Sequence, residues 1–262
     1  MTFSMTGVLG GTKDDQMEAF VDAMQEYSGK LPEKPHSWME ALSIVSALAK
    51  VKSGLTRDEL RAALGKESSG SLSRKLEDLV NCDIIRKYVV REKKLKSRSA
   101  IYQLMDFFSL FYLTFAAKAE VEVGYWSNHI GTPETNTWLG LSFERLCMAH
   151  VPQIKQALHI DRIATKFYSW RSQQSKPKAQ IDMILERADG IINIMEMKYS
   201  EAEYLLDSDE SRNTRNRVET FRRETGVKEA LWPTLVSTYG LRNGIHSSTF
   251  VATLTMDDLF LF

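Results

Sequence analysis

The 262 residues carry 34 lysines and arginines against 34 aspartates and glutamates, so no global field draws the chain to nucleic acid. Any such attraction must come from local patches. With 43% apolar residues the chain can build one large or two small cores. It has no signal peptide and no apolar run of about 18 residues, which argues against a membrane partner. Cys82 and Cys147 are isolated in apolar helical contexts, which excludes a disulfide framework or a thiolate metal site and leaves a reducing cytoplasm as the expected setting.

Residues 1–30 read as a helical extension. Asp14 to Ser28 is amphipathic, with Met17, Phe20, Val21 and Met24 on one face. Gly10-Gly11-Thr12-Lys13 echoes a phosphate-binding loop but lacks the spacing and the preceding strand, so no nucleotide site is expected.

Residues 31–105 read as a mainly α winged helix-turn-helix domain. The first helix runs from Ser37 to Val51, and Thr56 with Glu59 forms a capping box opening the second, Arg57 to Leu64. The third, Ser69 to Val80, carries Ser71, Ser73, Arg74 and Lys75 on its polar side. Ile84 to Val90 and Ala100 to Leu104 are the wing strands. Arg74, Lys75, Arg91, Lys93, Lys94, Lys96 and Arg98 form a candidate set of DNA phosphate contacts. The plainer reading is a solvated basic wing on a domain that mediates protein contacts. No residue can be assigned to base reading.

Residues 106–135 read as a linking helix and a boundary loop. Asp106 to Ala119 is apolar nearly all round, which predicts burial between layers. Val121 to Thr135, with Trp126, Gly131 and Pro133, reads as the boundary.

Residues 136–262 read as an α/β domain with a mixed central sheet flanked by helices. Its first helix, Thr137 to Val151, puts Leu139, Phe143, Leu146 and Cys147 on one face, with Glu144 in a second stripe beside Leu141 and Met148. His150 and His159 have no partners at metal-ligand spacing. Arg162 to Trp170 reads as a strand, followed by a polar loop to Lys178. Two apolar runs, Ala179 to Arg187 and Ile191 to Ser200, then flank Ala188-Asp189-Gly190, a strong hairpin signal. A three-residue loop with Gly190 left-handed pairs Arg187 with Ile191, and by count Asp182 with Glu196. Two carboxylates face to face in a buried strand pair repel unless a cation joins them. Mg²⁺ suits such an oxygen donor set, and Lys198, two residues after Glu196 on the same face, can orient or deprotonate a water. Gln180 points toward the same place. Ser211 to Thr225 reads as a helix with Val218 and Phe221 inward and Arg212, Arg215, Arg217, Arg222 and Arg223 outward. Such a face suits a DNA backbone, or is solvated and paired with Glu219 and Glu224. Trp232 to Tyr239 and Ser248 to Leu254 are later strands, and Met256 to Phe262 a closing element.

Asp182 followed by Glu196-x-Lys198 resembles the PD-(D/E)xK signature of restriction-endonuclease-like nucleases, and Gly140-Leu-Ser-Phe-Glu144-Arg-Leu-Cys-Met-Ala-His150 resembles the helix that adds a glutamate to it. More narrowly, Trp138 to Glu144, Gln153 to Leu158, Gln180-Ile-Asp182, Ile192 to Lys198 and Thr238-Tyr-Gly240 resemble the C-terminal nuclease-like domain of a group of archaeal and bacterial P-loop ATPases. The resemblance implies phosphodiester hydrolysis in DNA. Asp182, Glu196, Glu144 and the Met197 carbonyl would hold Mg²⁺ or Mn²⁺, and Lys198 would position the water. It also implies an ATPase partner, in cis or in trans, so this chain is expected to be a fragment or a shortened relative; a homo-oligomer is a further expectation. The alternative is an inactive nuclease fold acting as a DNA-binding or regulatory module, with Asp182, Glu196 and Lys198 left as a buried salt-bridge cluster.

Overall fold

Thr12 opens helix α1 (Lys13–Ser28) by accepting from the Asp15 amide while the Asp15 side chain returns to the Thr12 backbone, and Gly29 closes it in the left-handed region. One stripe of α1, Met17, Val21 and Met24, is buried. The computed structural model describes residues 7–29, 38–51, 54–65, 70–91, 100–116, 124–172 and 179–260. It divides into two units, residues 1–88 with 99–123, and residues 89–98 with 124–262.

In the first unit the order is α2 (Trp38–Ala49), β1 (Leu55–Thr56), α3 (Arg57–Ala63), α4 (Gly70–Asn81), β2 (Ile85–Arg91) and β3 (Ala100–Leu104), with β3 between β1 and β2. This is the order of a winged helix. The expected capping box of Thr56 and Glu59 is present at α3. Ile44, Val45 and Leu48 from α2 meet Leu60, Leu76, Leu79, Ile85 and Leu104 in one core. Gly54 has no substitute: at φ 73° a Cβ there would lie 2.5 Å from the Tyr102 carbonyl oxygen.

The apolar stretch after β3 is not buried all round. Helix α5 (Phe107–Phe111) passes into a π-helical turn over Tyr112–Ala116. The wider turn brings Leu110 and Phe115, five residues apart, to buried positions, whereas Phe107, Phe108 and Tyr112 are exposed. Among the described residues of this segment, 106–116, the buried side chains are Leu110 and Phe115.

In the second unit, helix α6 (Tyr125–His129) and the first turn of α7 (Pro133–Ala149) fall where a boundary loop was expected. Thr132 caps α7 and Pro133 occupies its first turn, a start signal four residues ahead of the one read from apolar periodicity. Helix α8 (Val151–Ala157) follows directly. Strands β4 (Thr165–Arg171), β5 (Gln180–Arg187), β6 (Ile191–Lys198), β7 (Ala230–Ser237) and β8 (Ala252–Thr255) lie in that order in the sheet. Pairs β4–β5 and β5–β6 are antiparallel, and β6–β7 and β7–β8 are parallel. Helix α9 (Ser208–Thr225) connects β6 to β7, the crossover that parallel strands need. The last strand starts later than expected because a 3₁₀ turn occupies Ser247–Thr249. This unit is an α/β domain with a mixed sheet and flanking helices.

Both faces of the sheet are covered, which is why β5 and β6 read as continuous apolar runs. Met183, Leu185, Met195 and Met197 pack with Phe143 and Cys147 of α7 and Ile154 of α8. Ile181, Ile184, Ile192 and Ile194 pack with Phe221 of α9, whose ring meets that of Trp170 edge-on at 5.3 Å. Both cysteines are buried and free. Among the described residues no helix is long and apolar enough to cross a membrane.

Phe221 is fully buried between α9 and the sheet. Replacing it by alanine is expected to destabilise the second unit by about 3–5 kcal/mol, against less than about 0.5 kcal/mol for Ile130→Ala at an exposed site. Urea denaturation of the two variants measures the difference.

Candidate active site

The hairpin has the register expected of a three-residue loop. Met183 pairs with Met195, Ile184 with Ile194 and Glu186 with Ile192, with Gly190 at φ 85°. The antiparallel pairing ends at Met183 and Met195, and Asp182 and Glu196 each lie one residue beyond it. The other neighbour of β5 adds a feature that the sequence does not reveal. Tyr168 pairs with Ile184 but Trp170 pairs with Ile181, so Asp182 and Met183 together oppose Ser169. This is a β-bulge. Its consequence is that Ile181 and Ile184, three residues apart, enter the same core. The Ser169 hydroxyl donates to the Asp182 carbonyl at 2.6 Å, and the Gln180 amide donates to the Asp182 carboxylate.

Glu196 and Lys198 continue the face of β6 that begins with Ile192 and Ile194, the face covered by α9. Helix and strand run past each other so that Phe221 meets Ile192 and Ile194, Arg217 meets Glu196 and Glu210 meets Lys198. Arg217 pairs with one carboxylate oxygen of Glu196, and the Lys198 ammonium stands 3.4 Å from the other. Lys198 also donates to Glu210 at 2.6 Å. Burial alone would push the Lys198 ammonium down. Glu196 and Glu210 outweigh it, and the net displacement is upward. Lys198 is thus held as a cation, suited to fixing negative charge and not to removing a proton.

Arg217 and Glu210 are the site residues that the sequence reading misses. Arg217 does not face outward with its neighbours; it stands four residues before the buried Phe221, the spacing that shares a helix face. That spacing was the available signal. Glu210 lies seven residues before Arg217 on the same stripe, its amide capped by Asp207.

Glu144 approaches from the other side. Its helix, α7, covers the face that bears Met195 and Met197. Burial, then the charges of Asp182 and Glu196, raise its carboxyl pKa from 4.5 to about 7. Glu144 therefore feels both of the other carboxylates from the helix on the opposite face to α9. Among the described residues no group of three or more histidines, cysteines, aspartates or glutamates is gathered closely enough to hold a metal ion. The donor chemistry nevertheless suits a hard cation: all the donors are oxygens, and Glu144 registers excess negative charge. Mg²⁺ needs only one or two carboxylates when it keeps its waters. Asp182 and Glu196 would hold it, and Glu196 must first part from Arg217.

Of the other candidate nucleic-acid contacts, Arg74 is exposed and Lys75 half-buried on α4. Arg91 closes β2, and its side chain, with Lys93, Lys94, Lys96 and Arg98, lies outside the described residues. Arg212 is exposed and pairs with Asp209 at 2.6 Å. Arg215 is exposed, 3.4 Å from the Thr249 hydroxyl. Arg222 is turned to the carbonyls of Val227 and Glu229 beyond the end of α9. Glu224, expected to pair on the outer face, is buried and accepts from the Ser172 hydroxyl at 2.7 Å.

No protein-family model and no curated protein matches the chain. Solved structures similar to it include a protein of unknown function, AF1548, with 15% identity over 44% of this chain and 64% of that one and a TM-score of 0.31. The restriction endonuclease FokI bound to DNA shares 12% identity over 92% of this chain and 49% of that one, with a TM-score of 0.30. The chain spans less than two thirds of either. Likeness at this level says nothing of activity.

The Glu144 carboxyl gives the site a pH signature. Below pH 4.5 folded and unfolded chains both hold the proton. Between 4.5 and about 7 only the unfolded chain ionises, and above that the folded state carries a constant penalty. The displacement corresponds to at most about 3 kcal/mol. Glu144→Gln is therefore expected to be more stable than wild type at pH 8 in chelator and equal to it at pH 4. Urea midpoints at the two pH values check this.

Proposed function

We propose that the second unit is a metal-dependent nuclease module that hydrolyses phosphodiester bonds in DNA. What supports this reading is the residue set at the open end of the hairpin: Asp182 and Glu196 each lie one residue beyond the paired Met183 and Met195, and Lys198 follows Glu196 two residues farther on the same face of β6. In this reading Asp182 and Glu196 hold Mg²⁺ or Mn²⁺, which polarises the phosphate and lowers the pKa of an attacking water. Gln180 fixes the Asp182 carboxylate. Lys198, held cationic by Glu196 and Glu210, stabilises the charge that develops on the phosphate oxygens. Further DNA contacts come from Arg74 and Lys75 of α4 in the first unit and from the basic residues Arg91, Lys93, Lys94, Lys96 and Arg98. A P-loop ATPase is the proposed functional partner, on the resemblance described above.

A second reading is favoured by a specific observation: Glu196 is already neutralised by Arg217 and Lys198. On that reading the unit binds DNA or an ATPase without cutting.

The two separate in a cleavage assay on single-stranded, duplex and branched DNA with Mg²⁺ or Mn²⁺. Asp182→Asn and Lys198→Ala are each expected to lower the rate by about 100-fold or more. Equal cutting by all three proteins would mean contamination and end the nuclease reading. No cutting by wild type, with DNA binding intact, would leave the second.

A further inference from the structure

Four charged groups stand in a row between β6 and α9: Arg217, Glu196, Lys198 and Glu210. Two are cations and two are anions, so the row is balanced as it stands. The two cations on Glu196 are not equivalent. Lys198 has a second carboxylate, Glu210, at 2.6 Å, closer than its 3.4 Å to Glu196. Arg217 has Glu196 as its one ion-pair partner among the described residues. If Glu196 is taken by another cation, Lys198 stays anchored and Arg217 is left uncompensated.

We propose that Arg217 is the counter-ion that Glu196 exchanges for a divalent cation, and that the released guanidinium then grips a backbone phosphate of the nucleic acid. The proposal rests on the nuclease reading and adds a positioning residue to it. Two observations support the exchange. The Glu196 side chain is 14% exposed and that of Arg217 is 28% exposed. The arginine therefore reaches the water-facing side of the pair, where a phosphate would arrive, while its partner carboxylate stays behind. Counting Asp182 with the row, the group carries one net negative charge; a divalent cation takes it to one net positive charge, and a single backbone phosphate next to Arg217 brings it to zero. The planar fork that now pairs with a carboxylate matches a phosphate equally well. Metal and DNA would thus bind cooperatively, because each removes the cost of the other.

The test is titration calorimetry with MnCl₂ and fluorescence anisotropy of a duplex DNA in CaCl₂, using the full chain. Arg217→Gln is expected to bind Mn²⁺ about tenfold more tightly than wild type and the duplex about tenfold more weakly. Arg217→Lys, which keeps the charge but loses the fork, is expected to bind Mn²⁺ as wild type does and DNA more weakly, and it serves if the glutamine variant does not fold. Arg223→Gln, near the end of the same helix, is expected to match wild type in Mn²⁺ binding. Unchanged Mn²⁺ affinity in Arg217→Gln, or unchanged DNA affinity in both Arg217 variants, would overturn the exchange while leaving the nuclease reading intact. If no protein shows Mn²⁺ binding that Asp182→Asn abolishes, the metal-site reading falls, and the exchange falls with it.

Discussion

A carboxylate near the end of a strand covered on both faces cannot remain charged without positive charge beside it. Glu196 is in that position. Apart from Asn193, the strand that carries it is apolar up to Met195, and the helix on its face is amphipathic around Phe221, so the fold leaves few directions from which a cation can come. Two are used: along the strand, from Lys198, and across from α9, from Arg217. The α9 stripe of Glu210, Arg217 and Phe221 is the complement of the β6 stripe of Lys198, Glu196 and Ile194. Apolar contact at one end and ion pairing at the other set how the helix lies on the strand.

The same arrangement explains why Glu144 feels the charges of Asp182 and Glu196 without being gathered with them. Glu144 belongs to the helix on the opposite face, where Phe143 and Cys147 pack on the methionines. It meets the other two as a half-buried acid whose proton is hard to remove. A site of this kind holds two answers to its own repulsion. Protonation of Glu144 and the Arg217 ion pair neutralise it within the protein. A divalent cation would do so from outside. Buried ion pairs are rarely more stabilising than an apolar replacement, so stability alone is a weak account of Arg217, Glu196, Lys198 and Glu210 standing side by side.

Much of this was legible in the sequence. Asp-Gly between apolar runs gave the hairpin and its register, because a three-residue loop leaves one pairing. The Thr56–Glu59 capping box is local and needed no tertiary context, whereas α9 begins at Ser208 under an Asp207 cap, three residues before the start read from the sequence. Two things were not legible. The bulge at Asp182–Met183 depends on the partner strand β4, and nothing in Gln180-Ile-Asp-Met-Ile184 announces it. The direction of Arg217 was obscured by Arg212, Arg215, Arg222 and Arg223, which suggested one basic face when the helical spacing to Phe221 already separated one member. The aromatic run after β3 misled for a different reason: a π-turn changes which residues share a side, and an α-helical wheel cannot represent it.

The most direct measurement is an anomalous-scattering map of crystals soaked in MnCl₂. The proposed nuclease reading predicts a peak between the Asp182 and Glu196 carboxylates, with the Arg217 guanidinium displaced from Glu196 and Lys198 still on Glu210. A map with no peak there, at Mn²⁺ concentrations that saturate other sites and with Arg217 still paired to Glu196, would contradict a metal-dependent role for this hairpin.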